Sequence, residues 1–147
     1  MHANVKIIVF DTYDTTQSLK DKTRISRKKQ RPVPPRNFII SLETDIEKVR
    51  MDELLASKST KHSMTQLLMQ QTIDHMKTNR IDYVIAGNRT THWSLNGTVS
   101  NEVNNHEEAD TLLISCLVLA TGMIECSAVD VYSADKDVFL LLVFHSN

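Results

Sequence analysis

The sequence predicts an α/β fold built on a mainly parallel sheet, and three observations carry that expectation. Short β-branched runs at residues 5–10, 81–87 and 127–132 alternate with longer segments of helical period, the pattern of βαβ units. Carboxylates follow two of these runs, Asp11 after the first and Asp135 with Asp137 after the last. Ligands of parallel sheets gather beyond the carboxyl ends of the strands. At 147 residues and 41% hydrophobic, the chain is one domain's worth of sequence with enough apolar residues for a core.

The elements follow in order. Residues 5–10 (Val-Lys-Ile-Ile-Val-Phe) form a strand, expected at the centre of the sheet. Residues 18–30 read as a basic helix, on which Lys20, Arg24, Arg27 and Arg31 fall on one narrow stripe, with Lys28 beside them. Few apolar residues lie opposite, so core burial is not what holds this helix. Pro32, Pro34 and Pro35 end it and make residues 32–37 an extended linker within the domain. Residues 38–40 form a short strand or a docking segment. Residues 45–57 and 63–79 read as helices, the second N-capped by Ser63 with Met64, Leu67, Leu68, Gln71 and His75 along one face. The methionines of this region are read as core filler.

Residues 81–87 are the next strand. The polar stretch 88–101 reads as a loop, in which Trp93 covers part of the core. Asn104 or Asn105 then caps a helix whose segment 111–121 is nearly all apolar and therefore buried, with Glu107 or Glu108 completing a capping box. A strand at 127–132 and an apolar helix at 137–144 complete the chain.

Composition removes several function classes. Three glycines leave no room for a glycine-rich phosphate loop, and neither a P-loop nor a dinucleotide fingerprint is present. The two cysteines, Cys116 and Cys126, lack a CxxC partner, which points to a reducing intracellular compartment, nucleus or cytoplasm. No signal-peptide pattern precedes the first strand, so the sequons at Asn88 and Asn96 are expected to be unused. The longest apolar stretch, 112–124, is too short and mixed to span a bilayer. No Ser/His/Asp or Cys/His arrangement is legible, and the six histidines have no ligand spacing.

The net charge of −1 conceals an asymmetry. Between Lys20 and Arg36 eight Lys/Arg face one acid, whereas residues 101–147 hold eight acids and one base. Such a division suits a polyanion at one end and cations at the other. Two clusters concentrate the acids: Glu107, Glu108 and Asp110 open a helix, and Asp135 and Asp137 follow a strand. Helix-dipole stabilisation accounts for Glu107. Four carboxylates converging from the remaining positions would repel one another and resist desolvation. A hard divalent cation such as Mg²⁺ or Mn²⁺ relieves both costs.

These residues resemble the flap-endonuclease/PIN-like nuclease superfamily. There a strand ends in Phe-Asp, here Phe10-Asp11, and a following helix carries a Leu-Lys and an arginine seven residues on, here Leu19-Lys20 and Arg27. A Glu-Ala-Glu/Asp motif opens a later helix, here Glu108-Ala109-Asp110, and a strand followed by Asp-x-Asp closes the pattern, here Asp135-Lys136-Asp137. The order and spacing match over residues 6–144 and are most similar to an uncharacterised, mobile-element-associated animal branch. The resemblance implies a PIN-like three-layer fold and Mg²⁺- or Mn²⁺-dependent hydrolysis of phosphodiesters, with two ions in a complete domain. It implies Glu108, Asp110, Asp135 and Asp137 as metal ligands, Lys20 and Arg27 as phosphate-orienting residues, and Asp11 as an accessory to the site. Arg24, Lys28 and Arg31 would add grip on the nucleic acid, with structure-specific DNA favoured over RNA and no membrane or organic cofactor. The family also has an earlier aspartate-bearing strand and a later acidic position, so this chain is expected to be the middle of a domain. The competing expectation is a catalytically inactive remnant that binds nucleic acid or protein.

Overall fold

The computed structural model describes residues 5–13, 35–45, 47, 49–105, 108–124 and 136–145. These divide into two compact units, one drawn from residues 1–12 and 69–147 and the other from 13–68.

The first unit is built on a four-stranded sheet of β1 (Lys6–Val9), β2 (Tyr83–Gly87), β3 (Thr90–Leu95) and β4 (Thr98–Val103), in that spatial order. β1 and β2 are parallel, while β2–β3 and β3–β4 are antiparallel. The described sheet is therefore mixed, where a mainly parallel one was expected. Among the described residues β1 pairs with β2 alone and is not central.

The cause is a pair of tight turns inside the stretch expected to be a loop. Gly87↔Thr90 and Leu95↔Thr98 each close a hairpin over two residues. Both central residues have positive φ in each turn, 44° and 64° at Asn88 and Arg89, 50° and 79° at Asn96 and Gly97. That is the type I′ geometry whose twist matches paired strands. β3 alternates half-buried Thr90, His92 and Ser94 with buried Thr91, Trp93 and Leu95. Trp93, at 7% exposure, is a core residue of a strand.

Alternation along the strands divides the core in two. Ile7 and Val9 of β1 and Val84 and Ala86 of β2 pack with Trp93, Leu95, Leu112, Cys116 and Ala120. Ile8 and Phe10 pack with Tyr83 and Ile85 on the other side, against Met69, Ile73 and Met76. Two helices supply these covers: α2 (Lys58–Thr78), whose residues from Met69 onward belong to this unit, and α3 (Ala109–Met123). The unit is three layers, helix on sheet on helix. α4 (Lys136–His145) packs against α3.

The buried face of α2 is Thr65, Met69, Ile73 and Met76, spaced by three or four residues, and not the expected stripe. Leu68 is 48% exposed, and Gln71 and His75 face solvent. Only one face of α3 is buried, since Val118 is 63% exposed. α2 ends in a Schellman motif: Ile81 N–H donates to Met76 O at 3.0 Å and Arg80 N–H to Lys77 O at 3.2 Å. Ile81 packs beside Met76, completing the motif's apolar contact.

In the second unit α1 is only the short helix Met51–Leu54, where residues 45–57 were expected to be helical. Its N-cap Arg50 offers no side-chain acceptor to the first turn, and its guanidinium pairs with Asp52 at 2.9 Å. α2 begins at Lys58, five residues before the expected start. Ser57 supplies the cap, its Oγ accepting from Thr60 N–H at 3.2 Å and donating to Asn37 Oδ1 at 2.6 Å. Ser63 instead holds the extended segment 38–40, accepting from Ile40 N–H at 2.9 Å, while Thr60 Oγ1 accepts from Phe38 N–H at 2.8 Å. This segment is a docking segment and not a strand. No described helix is long and apolar enough to cross a membrane.

Candidate functional site

Strand pairing fixes which ends of the elements share an edge. Val9, Ala86, Thr91 and Glu102 form one row across the sheet. One row further lie Gly87, Thr90 and Val103, with Phe10 joined to them through its N–H, which donates to Ala86 O at 2.8 Å. Beyond that row come Asp11, the Asn88-Arg89 turn and Asn104. β1, β2 and β4 run in the same direction, so all three carboxyl ends meet at this edge.

The link from β4 to α3 is tied to the same edge. Asn104 N–H donates to Arg89 O at 2.8 Å, and Asn104 Nδ2 donates to Thr91 Oγ1 at 3.0 Å. Asn104 is thus committed to the sheet and does not cap α3, contrary to expectation. The N-cap is Glu108, extended at φ −115°, ψ 135°, with no side-chain capping bond. Within the first turn Thr111 Oγ1 donates to Glu108 O at 3.0 Å, and Asp110 Oδ1 accepts from Thr111 N–H at 2.8 Å. At the far end of α3, Met123 O accepts from Asn96 Nδ2 at 3.1 Å. That bond places the helix C-terminus beside the β3–β4 turn, at the opposite edge of the sheet. α3 therefore starts at the carboxyl edge and runs back across β1 and β2.

Three expected site residues come to this edge by these connections: Asp11 after β1, and Glu108 and Asp110 at the start of α3. Asp11 and Glu108 are exposed and Asp110 is half-buried. A carboxylate in the first turn of a 15-residue helix is stabilised by the helix dipole with no metal required. Asp137 lies in the first turn of α4 and is exposed. Asp135, Lys20, Arg24, Arg27, Lys28 and Arg31 lie outside the described residues. Among the described residues no three His, Cys, Asp or Glu side chains come close enough to hold a metal ion. Carboxylate oxygens, the donors these side chains offer, are those that Mg²⁺ or Mn²⁺ prefers.

Two residues at this edge, Asn88 and Asn104, were not read from the sequence as site residues. Asn88 Nδ2 and Oδ1 and Asn104 Oδ1 are buried with no hydrogen-bond partner among the described residues. The Asn88-Arg89 turn was the available signal, since asparagine tolerates the positive φ a two-residue hairpin needs. Beside Asn104 a cleft of about 360 Å³ opens between the hairpin and α3, with Glu102 and Asn105 at its polar side and Leu112 and Cys116 at its apolar side. Cys116 is a core residue, as expected: it is buried, and desolvation pushes its thiol up to about 11. A thiol so protonated is no nucleophile at neutral pH.

These features define an α/β unit with a mixed sheet and a carboxylate-bearing edge. No family model, curated protein or solved structure matches the chain.

Proposed function

We propose that the chain is a metal-dependent nuclease-like domain of PIN-like fold that hydrolyses nucleic-acid phosphodiesters, structure-specific DNA being the favoured substrate. The observation that supports this reading most is the shared edge: Asp11 and the Glu108-Ala109-Asp110 opening of α3 stand at the carboxyl end of the parallel pair β1–β2. In this reading Asp135 and Asp137 join Asp11, Glu108 and Asp110 in one site; residues 127–132 and Asp135 lie outside the described residues.

Glu108, Asp110, Asp135 and Asp137 would hold Mg²⁺ or Mn²⁺, which supplies charge stabilisation and water activation when bound. Lys20 and Arg27 orient the scissile phosphate, and Arg24, Lys28 and Arg31 add electrostatic grip along the backbone. Asp11 is an accessory acid at the strand end.

Cleavage of flapped DNA in Mn²⁺, comparing the parent chain with Asp135→Asn, tests the proposal. Cleavage by the parent and its loss in the variant support it. Salt-sensitive binding without cleavage by either leaves a binding module in place of an enzyme, and absence of both ends the nucleic-acid reading.

A further inference from the structure

β4 closes the described sheet with an edge whose only protective charge is Glu102. It has no proline, no lysine and no bulge, and its register with β3 is unbroken from Thr90↔Val103 to Leu95↔Thr98. The two-residue turn makes Leu95 and Thr98 a hydrogen-bonded pair, so Thr98, Ser100 and Glu102 bond inward to β3. The backbone N–H and C=O groups of Val99, Asn101 and Val103 therefore point outward. Val99 is 63% exposed and Val103 81% exposed.

We infer that this edge pairs with β4 of a second copy of the chain, antiparallel about a two-fold axis at Asn101. The strand is self-complementary in that register and in no neighbouring one. Val99 meets Val103 of the other copy twice, Asn101 meets Asn101, and Glu102 meets Ser100. All the outward-facing residues then fall into hydrogen-bonded pairs. Moving the register two residues one way opposes Glu102 to Glu102, a direct like-charge pair. Moving it two residues the other way opposes Val103 to Gly97 and leaves each Val99 against Asn101. In the favoured register the two Glu102 residues are diagonal neighbours, their Cα atoms roughly 7–8 Å apart, a like-charge repulsion that salt screens. The result is one continuous sheet through both copies, with apolar pairs flanking the axis.

Sedimentation velocity on the 147-residue chain over a micromolar concentration series tests this, together with Val103→Lys and a cross-linking variant. Residues opposed in a hydrogen-bonded antiparallel pair have Cα atoms about 5.5 Å apart, within disulfide reach. In a Cys126→Ser background, Asn101→Cys is therefore expected to give a disulfide-linked dimer on mild oxidation, whereas Ser94→Cys, on the inner strand, is not. The parent chain is expected to dimerise reversibly, more strongly at higher salt, and Val103→Lys to be monomeric with an unchanged far-ultraviolet circular dichroism spectrum. A parent chain that stays monomeric throughout overturns the inference. So does a dimer that survives Val103→Lys, or one that Asn101→Cys fails to trap.

Discussion

Gly87 and Phe10 meet where no side chain fits between them: a Cβ on Gly87 would lie 2.8 Å from Phe10 Cβ and 3.1 Å from Phe10 O. This contact joins the carboxyl ends of the parallel pair and seats the Phe10-Asp11 strand end against β2. Gly87→Ala is expected to force a backbone shift and to destabilise the fold by about 1–3 kcal/mol. Urea denaturation followed by tryptophan fluorescence measures it, since Trp93 lies in the same sheet. A midpoint equal to the parent's would contradict the role given to this contact.

Arg80 occupies the position after α2 that glycine favours, with φ 54°. Relief of left-handed strain outweighs the added freedom of the unfolded chain, so Arg80→Gly is expected to stabilise by about 0.5–1 kcal/mol. Thermal unfolding reads this as a rise of a few degrees. A fall would mean that the Arg80 side chain contributes more than its backbone costs.

Ser57 is 2% exposed and serves both as the cap of α2 and as a donor to Asn37. Ser57→Ala removes both bonds and leaves Asn37 without that donor, at an expected cost of about 1–2 kcal/mol. Ser63→Ala, at the position the sequence suggested as the cap, is expected to cost less and to loosen residues 38–40. Hydrogen exchange at Phe38 and Ile40 distinguishes the two variants.

Burial raises the Cys116 thiol to about 11, and burial together with nearby Asp74 raises the Tyr83 phenol above its ordinary value. A group whose pKa is higher in the folded state binds its proton more tightly there. The associated stability is complete below the unfolded pKa and is lost as pH rises through the folded value. Stability is therefore expected to fall from about pH 9 toward pH 11. Cys116→Ala should flatten part of that slope. Ready titration of Cys116 by a disulfide reagent at pH 8 in a folded Cys126→Ser chain would contradict the assigned burial.

Much of this architecture was legible from periodicity. β1, β2, α3 and α4 stand where β-branched or apolar runs predicted them, because both sheet faces are covered and the buried strands are apolar throughout. The β3–β4 hairpin was missed because Thr, His, Ser, Asn and Glu fill most of its outward positions, which masked the alternation of Thr91, Trp93 and Leu95. Asn96-Gly97 was the readable signal, and Gly97, at φ 79° with open space around its Cβ position, serves the turn through conformation alone. The buried stripe of α2 escaped because Thr65 supplies part of it, while Leu68 faces outward. Caps were misplaced because Asn104 and Ser63 bond to distant segments, Thr91 and Ile40, which spacing along the chain does not reveal. Of the candidate site, Asp11, Glu108 and Asp110 share an edge through the β4–α3 link, which only the strand order discloses.

Manganese broadening of amide NMR signals tests the central claim most directly, because it maps where a divalent cation sits. Substoichiometric Mn²⁺ is predicted to broaden Asp11, Glu108, Asp110 and Asp137 together, and to spare Asn96 and Gly97 at the opposite edge, with Asp135→Asn abolishing the effect. Broadening scattered over exposed acids such as Asp52 and Glu53, or centred away from the carboxyl edge of β1 and β2, would contradict it.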